Sequence, residues 1–334
     1  MDAPVRSWGG YPRVRQEVLP LSRRDAALPA GNGTLLAHGN GRSYGDVCLN
    51  AGGTLLHTRG LDRFIAFDPD AGVLRCEAGV LLGEILDLIV PHGWFLPVLP
   101  GTQFVTVGGA IANDVHGKNH HRCGTFGCHV RRVGLLRSDR GRVECAAGDG
   151  ADAALFRATL GGLGLTGVIE WAEIQLRPIA ASAVDSVNVR FDALDEFFAL
   201  SAEFDRSHEF CVAWVDCVAR GKARGRGIFS AGNFAADGAL APARSRAVAV
   251  PFAPPFSLVN PATVRVFNAL YWHRCAPGRT FRRVDHAPFF YPLDGVAHWN
   301  RLYGRRGFQQ YQAAIPTVHE QDAVGELLDA ITAF

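Results

Sequence analysis

The chain has 334 residues, 48% of them hydrophobic and 20% charged, and a formal net charge of +2. This composition excludes a disordered chain, and so small a charge offers no global field to nucleic acid, so no nucleic-acid partner is expected. The opening residues MDAPVRSWGGYPRVRQ lack the apolar core of a signal peptide, and no window is apolar enough to form a transmembrane segment. The eight scattered cysteines read as free thiols, which favours a reducing, cytoplasmic setting.

Thr34-Leu35-Leu36-Ala37 reads as a strand running into HGNGRSYGDVCLNAGG (38–53). Glycines after a strand suggest a backbone approaching a phosphate. The spacing is Gly39-x-Gly41-x-x-x-Gly45, and no helix has room to follow, so a Rossmann turn is excluded and a loop cradle of backbone N–H groups remains. RFIAFDPDAGVLRCEAG (63–79) reads as a hairpin, and Leu82, Ile85, Leu86 and Ile89 mark an amphipathic helix stopping at Pro91-His92-Gly93. A second glycine-rich stretch, PVLPGTQFVTVGGAIANDVHGKNHH (97–121), precedes a second hairpin around Asp139-Arg140-Gly141. Residues 151–160 suggest a helix that Asp152 helps to cap, with Leu155, Phe156 and Leu160 as its stripe. LGGLGLTGVI (160–169) is a third glycine stretch, entering a strand over 167–179. Three such stretches beside predicted strands point to a large phosphate-bearing cofactor.

After about residue 180 the style changes: a strand in DSVNVRF, a helix over 192–207, a strand in FCVAWVDCV (210–218) and a long Pro/Ala-rich loop over 237–261. The fold class is α+β, with a first domain at 1–180 and a second at 181–334. Gln310 and Gln312 alternate as on a strand, presenting two amides to one side as sugar hydroxyls require. The basic run ARGKARGRG (219–227) reads as a solvated loop, its alternative an attraction to anionic lipid or a polyprenyl phosphate.

VHGKNHH (115–121) concentrates the chemistry. Lys118 can bond a substrate hydroxyl, or act as base if burial lowers its pKa; His116 can orient substrate or relay a proton; Tyr44 offers a phenol. The alternative is a metal on His116, His120 and His121. Gly117 and Asn119 oppose the helix that such spacing needs and no carboxylate pattern accompanies it, so no metal is expected.

GRSYGD (41–46), LPGTQFVTVGGAIANDVHGKNHH (99–121), GTFGCHVRRV (124–133) and GGLGLTGVI (161–169) resemble the flavin-binding half of the vanillyl-alcohol-oxidase superfamily of PCMH-type FAD enzymes. AWVD (213–216), YPLD (291–294), WNRLYGRRGFQQYQ (299–312) and IPT (315–317) extend the resemblance, most closely to the branch that oxidises decaprenylphosphoryl-ribose. It implies a two-lobed FAD-binding domain followed by an antiparallel-sheet substrate (cap) domain. It also implies oxidation of the ribose 2-hydroxyl to a ketone by hydride transfer to flavin, in the synthesis of arabinan precursors of a cell wall. The implied partners are a polyprenyl-phosphate sugar, a reductase completing an epimerisation, and a membrane surface met by the 237–261 loop. The runner-up is an aldonolactone or alditol oxidase acting on a free polyol.

Arg42 stands where related enzymes carry a flavin-linking histidine, so the resemblance implies non-covalent FAD. The implied cofactor contacts are Gly41, Arg42, Ser43, Tyr44, Gly45 and Asp46, then Pro100, Gly101, Thr102, Thr106, Val107 and Gly109. Asn113, Val115, His116 and Gly117 continue them, and Gly164, Thr166, Gly167 and Val168 close the set. Trp214, Tyr291, Gln310 and Gln312 are the implied substrate contacts, with Phe290 as the alternative match for the family's tyrosine. Members of the family continue beyond the residue matching Phe334. The resemblance therefore implies a substrate domain truncated at its C-terminal end, with apolar surface uncovered on its final strands, and it makes a non-catalytic flavin-binding remnant the rival reading.

Overall fold

The computed structural model describes residues 5–30, 33–242 and 247–333. In chain order the elements are β1 (Glu17–Pro20), β2 (Leu35–His38), β3 (Thr54–His57), β4 (Phe64–Asp68), β5 (Val73–Glu77), α1 (Leu82–Ile89), β6 (Trp94–Phe95), α2 (Val107–Ala112) and α3 (His120–Cys123). There follow β7 (Val130–Arg137), β8 (Gly141–Ala146), α4 (Ala153–Thr159), β9 (Val168–Gln175), β10 (Arg177–Pro178), β11 (Ala183–Phe191), α5 (Leu194–Phe204), β12 (Phe210–Val215) and β13 (Gly227–Phe234). The last are β14 (Val248–Ala249), α6 (Pro261–His273), β15 (Arg279–Asp285), α7 (His286–Phe290), β16 (Val296–Ala297) and α8 (Glu320–Ala333).

Three main sheets result, and the class is α+β. The first is parallel, in the order β1-β3-β2; the second is antiparallel, β4-β5-β9-β7-β8, and contains both expected hairpins. Its central strand β9 is buried on both faces, so Glu170 is enclosed and is held by Arg142 at 3.1 Å. The stripe of α1 (Leu82, Ile85, Leu86, Ile89) is wholly buried against this sheet. The third sheet is antiparallel, β12-β13-β11-β15, with Phe197 and Phe204 of α5 covering Phe191 and Phe229. One apolar cluster runs from Leu74 through Phe95 to Phe210, Phe290 and Tyr291, so the glycine-rich half and the later sheet share a core.

Several local expectations change. Asp152 does not cap α4; its carboxylate pairs with Arg140 at 3.0 Å instead. Residues 307–316 form no strand, because no neighbouring strand among the described residues pairs with them. The basic run is a loop, exposed at Arg220 and Lys222, whose arginines find partners within the chain. Arg224 bonds Asp329 of α8 at 2.7 Å, Arg220 reaches the Thr332 carbonyl, and Arg226 clamps buried Asp216 at 2.8 and 3.0 Å. Residues 237–261 are mostly loop, with 243–246 outside the described residues. Phe281 of β15 stands 73% exposed, and Val266, Phe267 and Leu270 form an open face of α6.

Candidate active site

The first glycine stretch leaves the end of β2 and turns at Gly41, where φ is +59° and an added Cβ would lie 2.6 Å from the Arg6 carbonyl oxygen. That turn sets Arg42 over the Trp8 ring at 4.4 Å and 5.5 Å from the Phe104 ring, with one N–H donated to Asn40 O at 2.8 Å. Ser43 accepts from Trp8 N at 2.8 Å, and Tyr44 packs on Trp299 and Phe308. In the second stretch, Thr106 caps α2 by accepting from Gly109 N at 3.1 Å, Val107 is buried, and Asn113 donates to Gly109 O at 2.9 Å. The third stretch is tied to α2 by Gly161 N to Ile111 O (3.0 Å) and Leu163 N to Ala112 O (2.8 Å). Its Thr166 hydroxyl bonds Thr159 at 3.0 Å, and Val168 is buried as the first residue of β9.

These loops suit the FAD that the resemblance implies. At Gly45 and Gly101 an added Cβ would meet nothing within 4 Å, so both backbones open onto free space. On the three glycine stretches Val47, Phe104, Leu163 and Leu165 expose apolar side chains, Leu165 to 80%. Open main chain flanked by uncovered apolar groups fits a ligand with both phosphates and flat rings. Beside the first two loops lies a cavity of ≈ 150 Å³, lined by Trp8, Arg42, Tyr44, Thr102, Asp294 and Trp299 among others.

Lys118 lies behind the second loop. Its side chain is half-buried and, among the described residues, its Nζ donates only to the Phe290 carbonyl, at 3.4 Å; burial pushes its pKa down to about 8. Its own carbonyl accepts from Cys211 N of β12 at 2.9 Å. The next residue, Asn119, is buried and donates to Pro97 O and to Glu209 Oε1, both at 2.9 Å. His116 is exposed and meets the Gln312 amide at 2.5 Å, so the pair joins the HGKN turn to the 307–316 segment. The His116 and His120 rings meet edge to face at 5.8 Å, whereas His121 bonds Asp205 at 2.9 Å. Among the described residues no group of three or more His, Cys, Asp or Glu side chains is placed to hold a metal.

Other predicted contacts stand apart. Trp214 packs against Tyr271 of α6 at 4.8 Å and does not line the cavity. Tyr291 is 1% exposed and its hydroxyl has no partner among the described residues, so its phenol is sealed in the shared core; Phe290, the alternative, is also buried. Gln310 is exposed and shares no strand face with Gln312. Sequence reasoning missed Trp8, Gln103, Glu209, Asp294 and Trp299. For Asp294 the signal was present in the YPLD motif, though nothing local told which side chain pointed inward.

The FAD binding domain family matches residues 27–146. The chain is 36% identical over 312 residues to decaprenylphosphoryl-β-D-ribose oxidase of Mycolicibacterium smegmatis, an overlap covering 90% of this chain and 67% of the relative. It is 43% identical over 165 residues to an uncharacterized protein of Streptomyces coelicolor (49% of this chain, 44% of that one). Mouse L-gulonolactone oxidase matches at 30% over 165 residues, 49% of this chain and 35% of the relative. The chain thus spans about two thirds of the first of these relatives and less than half of the other two.

Proposed function

Because the chain belongs to the family of FAD-binding oxidoreductases that includes decaprenylphosphoryl-β-D-ribose oxidase, we propose that it oxidises the 2-hydroxyl of a polyprenylphosphoryl ribose, the decaprenyl form above all, to the 2-keto sugar. Bound FAD, held non-covalently with Arg42 in place of a linking histidine, supplies the hydride acceptor. The observation that carries the reading is Lys118, a half-buried amine with no carboxylate partner among the described residues and a pKa lowered by burial to about 8. Such a group takes a hydroxyl proton near neutral pH, as a solvated lysine does not. His116, braced by Gln312, orients the sugar, and Tyr44 walls the cavity. The backbones of Gly45 and Gly101 receive the phosphate-bearing cofactor.

The test is spectroscopic. Acid denaturation releases all flavin absorbance into the supernatant, and farnesylphosphoryl ribose bleaches the bound flavin anaerobically while xylitol and galactonolactone do not. Bleaching by a free polyol instead would favour the runner-up, and bleaching by none would favour a non-catalytic flavin binder.

A lipid-linked substrate is favoured over a free polyol by the apolar rim. Val248, Phe252 and Phe256 are 75%, 69% and 67% exposed, and their loop is fastened to the 296–304 segment by Arg301 to Val250 O (2.7 Å) and Leu258 N to Leu302 O (2.8 Å). Leu293 and Val296 carry the same surface to the cavity. This rim is the surface that would meet a polyprenyl chain and the membrane holding it. Phe252→Asp with Phe256→Asp should cut co-sedimentation with vesicles at least fivefold at unchanged circular dichroism; undiminished co-sedimentation would remove the rim from the reading. All eight cysteines are free, which supports a cytoplasmic setting. A 2-keto sugar with its new carbonyl is the substrate a partner reductase would need to complete an epimerisation.

A further inference from the structure

Asp294 is the one acidic side chain among the described residues lining the ≈ 150 Å³ cavity, and it enters from the far end of the chain. It is 9% exposed. Its Oδ2 accepts the Gln103 N–H at 3.0 Å, across 191 positions in sequence, and Thr102 lines the same cavity. Gln103 and Thr102 both belong to the turn after Gly101, the glycine whose backbone faces open space. The same carboxylate acts electrostatically on Arg42 in the first loop, whose guanidinium is part-buried over Trp8 and makes no ion pair within 4 Å among the described residues. Four residues earlier, the Phe290 carbonyl receives Lys118 Nζ. The 290–294 segment therefore touches the Lys118 turn at one end and the Thr102-Gln103 turn at the other, and shares the cavity with Arg42.

We infer that Asp294 is a positioning residue for the cofactor: it pins the Thr102-Gln103 turn and balances Arg42, so that the first and second loops keep the separation a bound FAD requires. A main-chain N–H deprived of its only acceptor inside the protein favours rearrangement of the turn, and an uncompensated guanidinium favours moving outward to water. Cofactor retention and seating of the 290–294 segment thus become one event. The inference rests on the FAD reading above, but not on which sugar is oxidised.

The experiment measures FAD affinity by flavin fluorescence on adding FAD back to the stripped full chain, with no substrate present. Asp294→Ala should weaken affinity at least tenfold, while Asp294→Asn, which keeps an oxygen for Gln103 N–H and loses the charge, should fall between the two. Melting of the FAD-free variants by circular dichroism separates positioning from general damage. Affinity of Asp294→Ala within twofold of the parent would overturn the inference. So would an affinity loss that only follows a lowered FAD-free melting temperature, or one as large in Asp294→Asn as in Asp294→Ala. Failure of sugar-dependent bleaching with FAD affinity behaving as expected would instead count against the proposed reaction alone.

Discussion

Replacing Lys118 by methionine should lower the anaerobic rate of flavin reduction by polyprenylphosphoryl ribose at least a hundredfold and abolish its rise with pH near 8. General bases contribute on the order of 10² to 10⁴ in rate, and no second amine among the described residues reaches the Phe290 carbonyl to take over. Burial lowers the Lys118 pKa to about 8, so the neutral, proton-accepting form grows as pH rises through that value. The parent rate should therefore climb between about pH 7 and 9 and then level. The same shift fixes the sign of the stability effect. The folded-state pKa lies below the ordinary 10.5, so the charged form is penalised in the folded protein at pH below about 8, and the penalty fades as pH rises towards 10.5. The Lys118→Met variant should then be more stable at pH 7, by about 1–2 kcal/mol, while being nearly inert. Stopped-flow reduction and thermal melts across pH check both halves. A Lys118→Met variant that still reduces its flavin with the same pH profile would end the assignment of Lys118 as base.

Filling the cradle should empty it of cofactor without harming the fold. Gly101 has nothing within 4 Å of a Cβ, and its backbone is not in the left-handed region, so Gly101→Leu places its side chain in open space. FAD affinity should fall at least a hundredfold, with the FAD-free melt within a few degrees of the parent, a shift on the scale of about 1 kcal/mol. Gly117→Ala is the contrasting change. Its Cβ would lie 2.6 Å from the Leu99 carbonyl oxygen, and backbone must shift to admit it, costing about 1–3 kcal/mol or more. A Gly101→Leu variant that keeps its yellow colour through dialysis would show that the flavin lies elsewhere.

Elements whose signal is local were legible in advance. Both hairpins, the α1 stripe and the glycine turns follow from residues within one turn or one strand of each other, and Lys118 stood out because its motif is dense. What failed was long-range. Gln310 and Gln312 alternate as a strand would, yet a strand exists only where a neighbour offers a ladder. Arg220 and Arg224 looked free because their carboxylate and carbonyl partners lie in α8, about a hundred positions on. Asp294 was in a quoted motif, but its value comes from an amide 191 positions away. No periodicity encodes such a pairing.

The main-chain bond from Cys211 to the Lys118 carbonyl has a kinetic corollary. It is braced on both sides, by Asn119 against Glu209 and by Arg177 against the same carboxylate. Swinging the β12 sheet outward like a door would tear out all three contacts and strand a buried amide, at about 1–3 kcal/mol for each group left unpaired. The roof over the amine is thus riveted to its floor. The Lys118 turn and the first residues of β12 are therefore expected to move as one body.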